Sequence, residues 1–339
     1  MTVSELGERA VLARIQATLS ATTRLADGLV LGIGDDAAIV APTRNTHVVL
    51  TTDAQVEGVH FERLFSTPQD VGYRALAVNL SDLAAMGAAP RYALLSLAMP
   101  PSLLVEEVER LVAGVGRLAE QHRMAVVGGN LTRTTGPLVV DITAVGEVAP
   151  RRALTRSGGR PGDAVYVSGS IGGAAAGLEM LRANPEAVSD PGPEATAECV
   201  RRYRRPEARV RLGVALARGR AARAAMDLSD GLADAAHQLA EASGCGIEIE
   251  ADALPIEPAA RAWWEAAGKD AVAHALSGGD DYELLIAVPR TWGGRLRHVR
   301  SRVAEPALTR IGWLTKDRGA RVLRRDGRPT ELPKGFEHF

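Results

Sequence analysis

The chain has 339 residues, 46% of them hydrophobic, with 40 basic and 41 acidic side chains and a formal net charge of -1. That is apolar material for a substantial core, and more naturally for two domains than for one. The even charge balance gives no reason to expect a nucleic-acid or membrane partner, and two cysteines, Cys199 and Cys245, argue against a disulfide framework or a cysteine-rich metal site.

The opening MTVSELGERAVLARIQ reads as neither a signal peptide nor a membrane anchor. No apolar run reaches the roughly 18 residues of a spanning helix, so a cytoplasmic enzyme is the expectation. Residues 5–19 carry helical spacing. Val48–Asp53 reads as a strand ending in an acid, and Asp70–Met86 as a helix stopped by Gly87 and Pro90. Tyr92–Ala98 is a second strand, Leu103–His122 a long helix, Met124–Val127 a strand running into Gly128-Gly129, and Leu138–Val148 a further strand. The segment APRRALTRSGGRPGD reads as an irregular connection, which puts a domain boundary near Pro150, between 1–149 and 150–339. Beyond it, Ala164–Ser168 reads as a strand, Ile171–Leu181 as a helix, 184–197 as an exposed loop, and Glu207–Ala217 and Asp230–Ala242 as helices. Ile247–Ile249 and Tyr282–Val288 read as strands, 292–302 as a helix, and the tail from Thr309 as short strands before GFEHF. The overall pattern is α/β.

The strongest chemical signal is where the aspartates sit. Asp35 and Asp36 lie in LGIGDDAAIV, Asp53 ends an apolar strand, and Asp82 interrupts ALAVNLSDLAAMG. Asp227 and Asp230 lie in AAMDLSDGLADAA, and Asp280 and Asp281 in SGGDDYELLIAV. Carboxylates in apolar settings cost several kcal/mol unless they are paired or bound to metal. Several of them with little local positive charge suggest divalent cations, and magnesium suits carboxylate and water oxygens. Plainer roles exist for each: a tight turn at Asp35 or Asp36, a strand end at Asp53, an N-cap at Asp227 or Asp230, a turn at Asp280 and Asp281. Asp82 is the hardest to explain that way, because an acid inside a buried helix needs a partner.

Lysine occurs only at Lys269, Lys316 and Lys334, so a phosphate site in the first three-quarters of the chain must rely on metal, arginine and backbone N–H groups. Arg156 in TRSGG is the better phosphate candidate beside Arg152, with a solvated linker charge as the plain alternative. Gly128-Gly129-Asn130 would let backbone N–H groups approach phosphate. SGSIGGAAAG at 168–177 leads into a helix whose N-terminus can hold an anion, or simply supplies tight turns. Gly32–Gly34 fails as a dinucleotide fingerprint, and no GxxxxGK[ST], HExxH or G-x-S-x-G is present.

Taken together, GIGDDAA, TTDAQVEGVHF, GYRALAVNLSDLAAMGAAPRY, GGN, RALTRSGGRPGDAVYVSG, MDLSDGL and GGDDYELLIAV resemble the thiamine-monophosphate kinase family, through most of the chain. The resemblance implies the two-domain fold of aminoimidazole ribonucleotide synthetase and selenophosphate synthetase, with N-terminal domains pairing their sheets in a homodimer. It implies ATP and thiamine monophosphate as substrates and Mg2+ as cofactor. Asp35, Asp53, Asp82, Asp227 and Asp230 align with magnesium-binding acids, with Thr51, Thr52 and Asn130 as further oxygen donors. Gly129, Asn130, Ser229 and Arg156 match nucleotide contacts, and His60, Asp280 and Phe336 match substrate contacts.

Asp35, Asp53, Asp82, Asp230 and Arg156 are thereby the expected catalytic set. Two departures stand out: Asn130 replaces a frequent aspartate, and GGDD replaces the commoner GGED, so Asp280 stands for a longer glutamate. Another ATP-dependent synthetase of the same fold and a magnesium-dependent phosphohydrolase remain as alternatives. Selenophosphate synthetase is disfavoured because no cysteine precedes Cys199.

Overall fold

The structure, a computed structural model, describes residues 1–23, 27–188, 193–324 and 329–333. The chain separates into two units, Met1–Leu83 with Ala89–Pro150, and Ala84–Ala88 with Arg151–Phe339.

The first unit runs α1 (Val3–Leu6), α2 (Glu8–Thr23), β1 (Leu29–Leu31), β2 (Ile39–Val40), β3 (His47–Val56), α3 (Pro68–Ala85), β4 (Ala89–Met99), α4 (Val105–Gln121), β5 (Ala125–Arg133) and β6 (Val139–Val148). Its main sheet has the order β3-β6-β4-β5. The β4–β5 pair is parallel and crosses over through α4, whereas β6 is antiparallel to both β3 and β4. Helix α3 starts where the sequence gives it a reciprocal cap. The Thr67 N–H and hydroxyl donate to Asp70 Oδ2 at 3.1 and 2.7 Å, Asp70 N–H returns to Thr67 Oγ1 at 3.3 Å, and Pro68 takes the first helical position. It stops at Gly87, whose φ of 66° suits glycine. Helices α3 and α4 touch backbone to backbone: a Cβ on Gly72 would lie 1.9 Å from Leu111 O, and one on Gly114 2.1 Å from Gln69 O.

Alternation along β3 sorts the sheet faces. Val49, Thr51, Asp53 and Gln55 point inward, where Val140, Ile142, Ala144, Leu95 and Leu97 are buried beside them. The opposite face is open and partly apolar, with Val48, Leu50 and Leu94 exposed by 51%, 68% and 39%.

The second unit contains β7 (Ala164–Ser168), α5 (Gly173–Ala183), α6 (Glu194–Arg204), α7 (Val210–Gly219), β8 (Ala224–Asp227), α8 (Leu232–Ala242), β9 (Gly246–Glu250), α9 (Pro258–Ala266), α10 (Ala271–Ser277), β10 (Leu284–Val288), α11 (Gly293–Arg302), β11 (Leu308–Thr315), β12 (Gly319–Leu323) and β13 (Pro329–Glu331). Its sheet has the order β13-β12-β9-β11-β7-β10-β8, and β9–β12 is its one parallel pair among the described residues. Every residue of β8 and β10 is buried, as the continuous apolar run LLIAV requires.

Several expectations change. Asp53 does not end its strand, because β3 runs on to Val56. The strand through Met124–Val127 does not end at the glycine pair; β5 continues to Arg133, with a register irregularity opposite Ala93 and Leu94. The segment 184–197 is not all loop, because α6 begins at Glu194. Helix α8 begins at Leu232 with Gly231 as its N-cap, so neither Asp227 nor Asp230 fills that position.

Candidate functional site

In the first unit, regular elements place the polar groups. Thr51 and Asp53 sit two residues apart on β3, both turned toward α3. Thr51 Oγ1 donates to Asp82 Oδ2 at 2.5 Å, so the acid inside the helix has its partner on the strand. Gln55, two residues beyond Asp53, accepts from Arg74 Nε at 3.1 Å on the same helix. These two contacts pin β3 against α3 on either side of Asp53. Thr52 points to the other sheet face, where its hydroxyl lies 3.1 Å from Asp141 Oδ1 and 3.3 Å from Thr143 Oγ1. Asp141 was not singled out from the sequence, because an acid at an alternating strand position looks like an ordinary solvent-facing residue.

Gly129 follows the irregularity in β5 with a φ of 154°. A Cβ there would lie 1.8 Å from Leu95 O, so this glycine is demanded by the neighbouring strand. Asn130 is exposed and pairs in register with Ser96. Asp35 is exposed in a turn and accepts the Asp36 N–H at 2.8 Å. His60 folds back on the end of β3, accepting Val56 N–H at its Nδ1 at 3.1 Å. The donor is a backbone amide, so Nδ1 is unprotonated and the ring presents Nε2–H elsewhere.

In the second unit the acids singled out from the sequence sit on two loops, and these are laced together. The segment after β8 holds Asp227, Ser229 and Asp230; the segment before β10 holds Asp280 to Glu283. Asp280 N–H donates to Ser229 O at 2.8 Å, Tyr282 N–H to Leu228 O at 2.9 Å, and Leu228 N–H to Glu283 O at 2.9 Å. Asp227 is buried at the end of β8, paired in register with Leu284. Ser229 Oγ donates to Asp230 Oδ2 at 3.0 Å, and Tyr282 Oη to Asp280 Oδ1 at 3.1 Å.

Below these loops lie two carboxylates whose roles sequence reasoning missed. Asp281, 8% exposed, accepts Gly172 N–H at 2.6 Å and Ala174 N–H at 3.3 Å, at the start of α5. The helix N-terminus expected to hold an anion therefore holds one from the chain itself. Burial pushes the Asp281 carboxyl up to about 7, against the lowering effect of those two N–H groups. Glu283 is fully buried; Arg209 grips it through Nε at 2.7 Å and through Nη2, and Ser168 Oγ donates to it at 2.5 Å. Burial raises the Glu283 carboxyl, opposed by the Arg209 guanidinium. The signal was available: Glu283 stands in the apolar run YELLIAV, the same anomaly that singled out Asp82.

Arg156 donates to Gln238 Oε1 at 2.6 Å, and Gln238 is held by Asp234 at 2.6 Å, so the guanidinium is aimed by a two-step chain on α8. Phe336 lies outside the described residues. Among the described residues, no three His, Cys, Asp or Glu side chains form a preassembled metal cluster, and no helix is long and apolar enough to cross a membrane.

Comparison with known proteins places this arrangement. The model of AIR synthase related protein, N-terminal domain, matches residues 34–148, and that of the C-terminal domain matches 160–324. A thiamine-monophosphate kinase of Escherichia coli (strain K12) is 39% identical over 312 residues, covering 91% of this chain and 92% of that protein. The crystal structure of thiamine-monophosphate kinase from Stenotrophomonas maltophilia K279a superposes with a TM-score of 0.84 at 36% identity, covering 94% of this chain and 97% of that one. A structure of AaThiL complexed with AMPPCP and TMP gives a TM-score of 0.77 at 34% identity, covering 100% and 99%. The two-domain AIR synthase-like fold is thus shared from end to end, and the chain belongs to the thiamine-monophosphate kinase family.

Proposed function

We propose that the chain transfers the terminal phosphoryl group of ATP to thiamine monophosphate, giving thiamine diphosphate and ADP. The observation that carries this reading is the full-length likeness to AaThiL, whose solved structure holds AMPPCP and TMP together. The acceptor is a phosphate oxygen already largely ionised near neutral pH, so no strong general base is needed. The barrier is the meeting of two anions in line.

The donors fit magnesium. In the first unit Asp35, Asp53, Asp82, the Thr51 hydroxyl and the Asn130 amide oxygen, and in the second Asp227 and Asp230, are hard oxygen ligands; the Thr52 hydroxyl lies on the opposite sheet face from Thr51 and would serve a separate ion. Bound there, magnesium would screen the charge of the phosphates and stabilise the group in flight. The chain's own part is placement. The Thr51 hydroxyl fixes one oxygen of Asp82 and leaves the other carboxylate lone pairs directed past it. Asn130 contributes an oxygen without charge, which makes that part of the metal shell weaker than an aspartate would.

Arg156, steadied on Gln238, has further N–H groups for phosphate, and Ser229 and Gly129 add nucleotide contacts. Strand β5 is an edge of its sheet, which leaves alternate backbone groups facing outward, a usable surface for phosphate oxygens. His60, Asp280 and Phe336 are assigned to the thiamine end. In this reading residues 1–149 carry the ATP, magnesium and dimer contacts, and 150–339 contribute to nucleotide and substrate binding. The homodimer reading is supported by the open apolar sheet face at Val48, Leu50 and Leu94.

The test is product analysis with purified protein, magnesium, ATP and thiamine monophosphate, with controls lacking acceptor or metal. Matched appearance of thiamine diphosphate and ADP, abolished by chelator, is the expected result. ADP and free phosphate with unchanged thiamine monophosphate would replace this reading with hydrolysis.

A further inference from the structure

The GGDDYE segment takes a conformation that side chains normally avoid. Asp280 has a φ of 69° and Tyr282 a φ of 51°, so two non-glycine residues on either side of Asp281 are left-handed. Such backbone persists only where its surroundings over-determine it. The surroundings are visible here. Between the two left-handed residues, the Asp281 side chain turns inward and takes two N–H groups at the start of α5. Two residues on, Glu283 turns inward onto Arg209 and Ser168, and Ser168 Oγ also accepts Leu284 N–H at 2.9 Å. The outward residue, Asp280, is the one assigned to substrate.

The receiving end is equally constrained. Gly172 has a φ of 83°, and a Cβ there would lie 2.8 Å from the ring of the fully buried Trp264. The docking point of Asp281 is therefore fixed from behind. The partner loop is held as closely: a Cβ on Gly279 would lie 2.7 Å from Ser229 O, and one on Gly231 3.0 Å from Gly278 O. Hydrogen bonds from Asp280 N–H to Ser229 O and from Tyr282 N–H to Leu228 O join the two loops backbone to backbone.

We propose that Asp281 is a positioning residue: docked on the N-terminus of α5, it holds Asp280 outward toward substrate and, through the backbone ladder, sets Ser229 and Asp230 at the same time. This rests on the assignment of Asp280 to substrate and of Ser229 and Asp230 to nucleotide and metal. It adds that the two sets are not independently adjustable. A shift of Asp281 displaces both.

The experiment compares Asp281→Asn with Asp280→Asn in the full-length chain, reading steady-state kinetics and backbone hydrogen exchange. In Asp281→Asn the side-chain amide keeps the shape of the carboxylate but sets an NH2 against one of the two N–H donors. Expected for this variant are an increase of about tenfold in KM for thiamine monophosphate, a fall of about tenfold in kcat as Ser229 and Asp230 shift with it, and faster exchange confined to 228–231 and 279–283. Asp281→Glu, which retains the charge but overreaches by a methylene, should show the same exchange pattern more weakly.

Exchange accelerated throughout the second unit would mean a general stabilising role and would overturn the proposal. So would faster exchange at 279–283 alone with 228–231 unchanged, because the coupling would be absent. Unchanged exchange at both segments overturns it as well. Asp280→Asn separates the underlying assignment. If it leaves the KM for thiamine monophosphate unchanged, Asp280 is not a substrate contact, and the exchange pattern of Asp281→Asn still decides the coupling. If it raises KM while Asp281→Asn does not, the positioning claim fails with the substrate assignment intact.

Discussion

The two units solve the same placement problem by opposite means. In the first, the polar groups ride on a strand and a helix, and side-chain hydrogen bonds from Thr51 to Asp82 and from Arg74 to Gln55 tie the two elements together. In the second, they ride on loops, and the loops are held from beneath by buried carboxylates, Asp281 on a helix N-terminus and Glu283 on Arg209. Regular elements need little reinforcement to aim a side chain. Loops need a polar foundation that makes no contact with the reaction itself. Changes in the first unit should therefore fall on activity, and changes in the second on stability and activity together.

The sharpest break of that comparison is Arg209→Met. It strands Glu283 fully buried without its cation, which costs about 3–5 kcal/mol. A large fall in the thermal midpoint, followed by circular dichroism, is expected, and an unchanged midpoint would remove the foundation role. Asp82→Asn in the first unit should do the reverse. Turnover falls about 100-fold, roughly 2.7 kcal/mol, with a higher magnesium requirement in a metal titration and little change in melting. Normal magnesium-dependent turnover in that variant would defeat the assignment of Asp82.

The next effect is a pH slope. The Asp281 carboxyl sits at about 7 in the folded chain, above its unfolded value near 3.8. The folded state therefore binds the extra proton between about pH 4 and 7, and stability falls as pH rises through that window by up to about 1.4 kcal/mol per unit. Comparing denaturation of the wild type and Asp281→Asn across pH 4 to 8 should show this slope lost in the variant. A difference between the two that does not vary with pH would refute it. The smallest effect belongs to Thr51→Val, which removes one hydrogen bond to Asp82 together with a neutral oxygen proposed for magnesium, and should cost about 1–1.4 kcal/mol, roughly five- to tenfold in kcat/KM, leaving the fold intact.

How much of this was legible in the sequence divides along the same line. Helix α3 is legible from Asp70 to its stop at Gly87, while its cap at Thr67 and first position at Pro68 escape the sequence reading; Asp82 stands out inside it because a carboxylate among apolar neighbours needs a reason. That Thr51 and Asp53 share one face of β3 while Thr52 takes the other is not part of the sequence reading, which ends the strand at Asp53. The loops hid their logic. Asp280 and Asp281 look equivalent in GGDDYE, and the glycine pair before them hides which of the two turns inward; the structure puts Asp281 under α5. Helix α6 was obscured by the proline- and glycine-rich stretch before it, and α9 and α10 are short, with much of their apolar surface supplied by alanine. Glu283 was legible by the very criterion that found Asp82.

The crowding at Gly129 carries a lesson for any saturation mutagenesis of this chain. Every substitution there drives a Cβ to within 1.8 Å of the Leu95 oxygen, so the position will score as intolerant in a folding screen as readily as in an activity screen. Its fitness profile measures sheet geometry. The adjoining Asn130 is exposed, and tolerance there is the readout that tests its proposed metal contact.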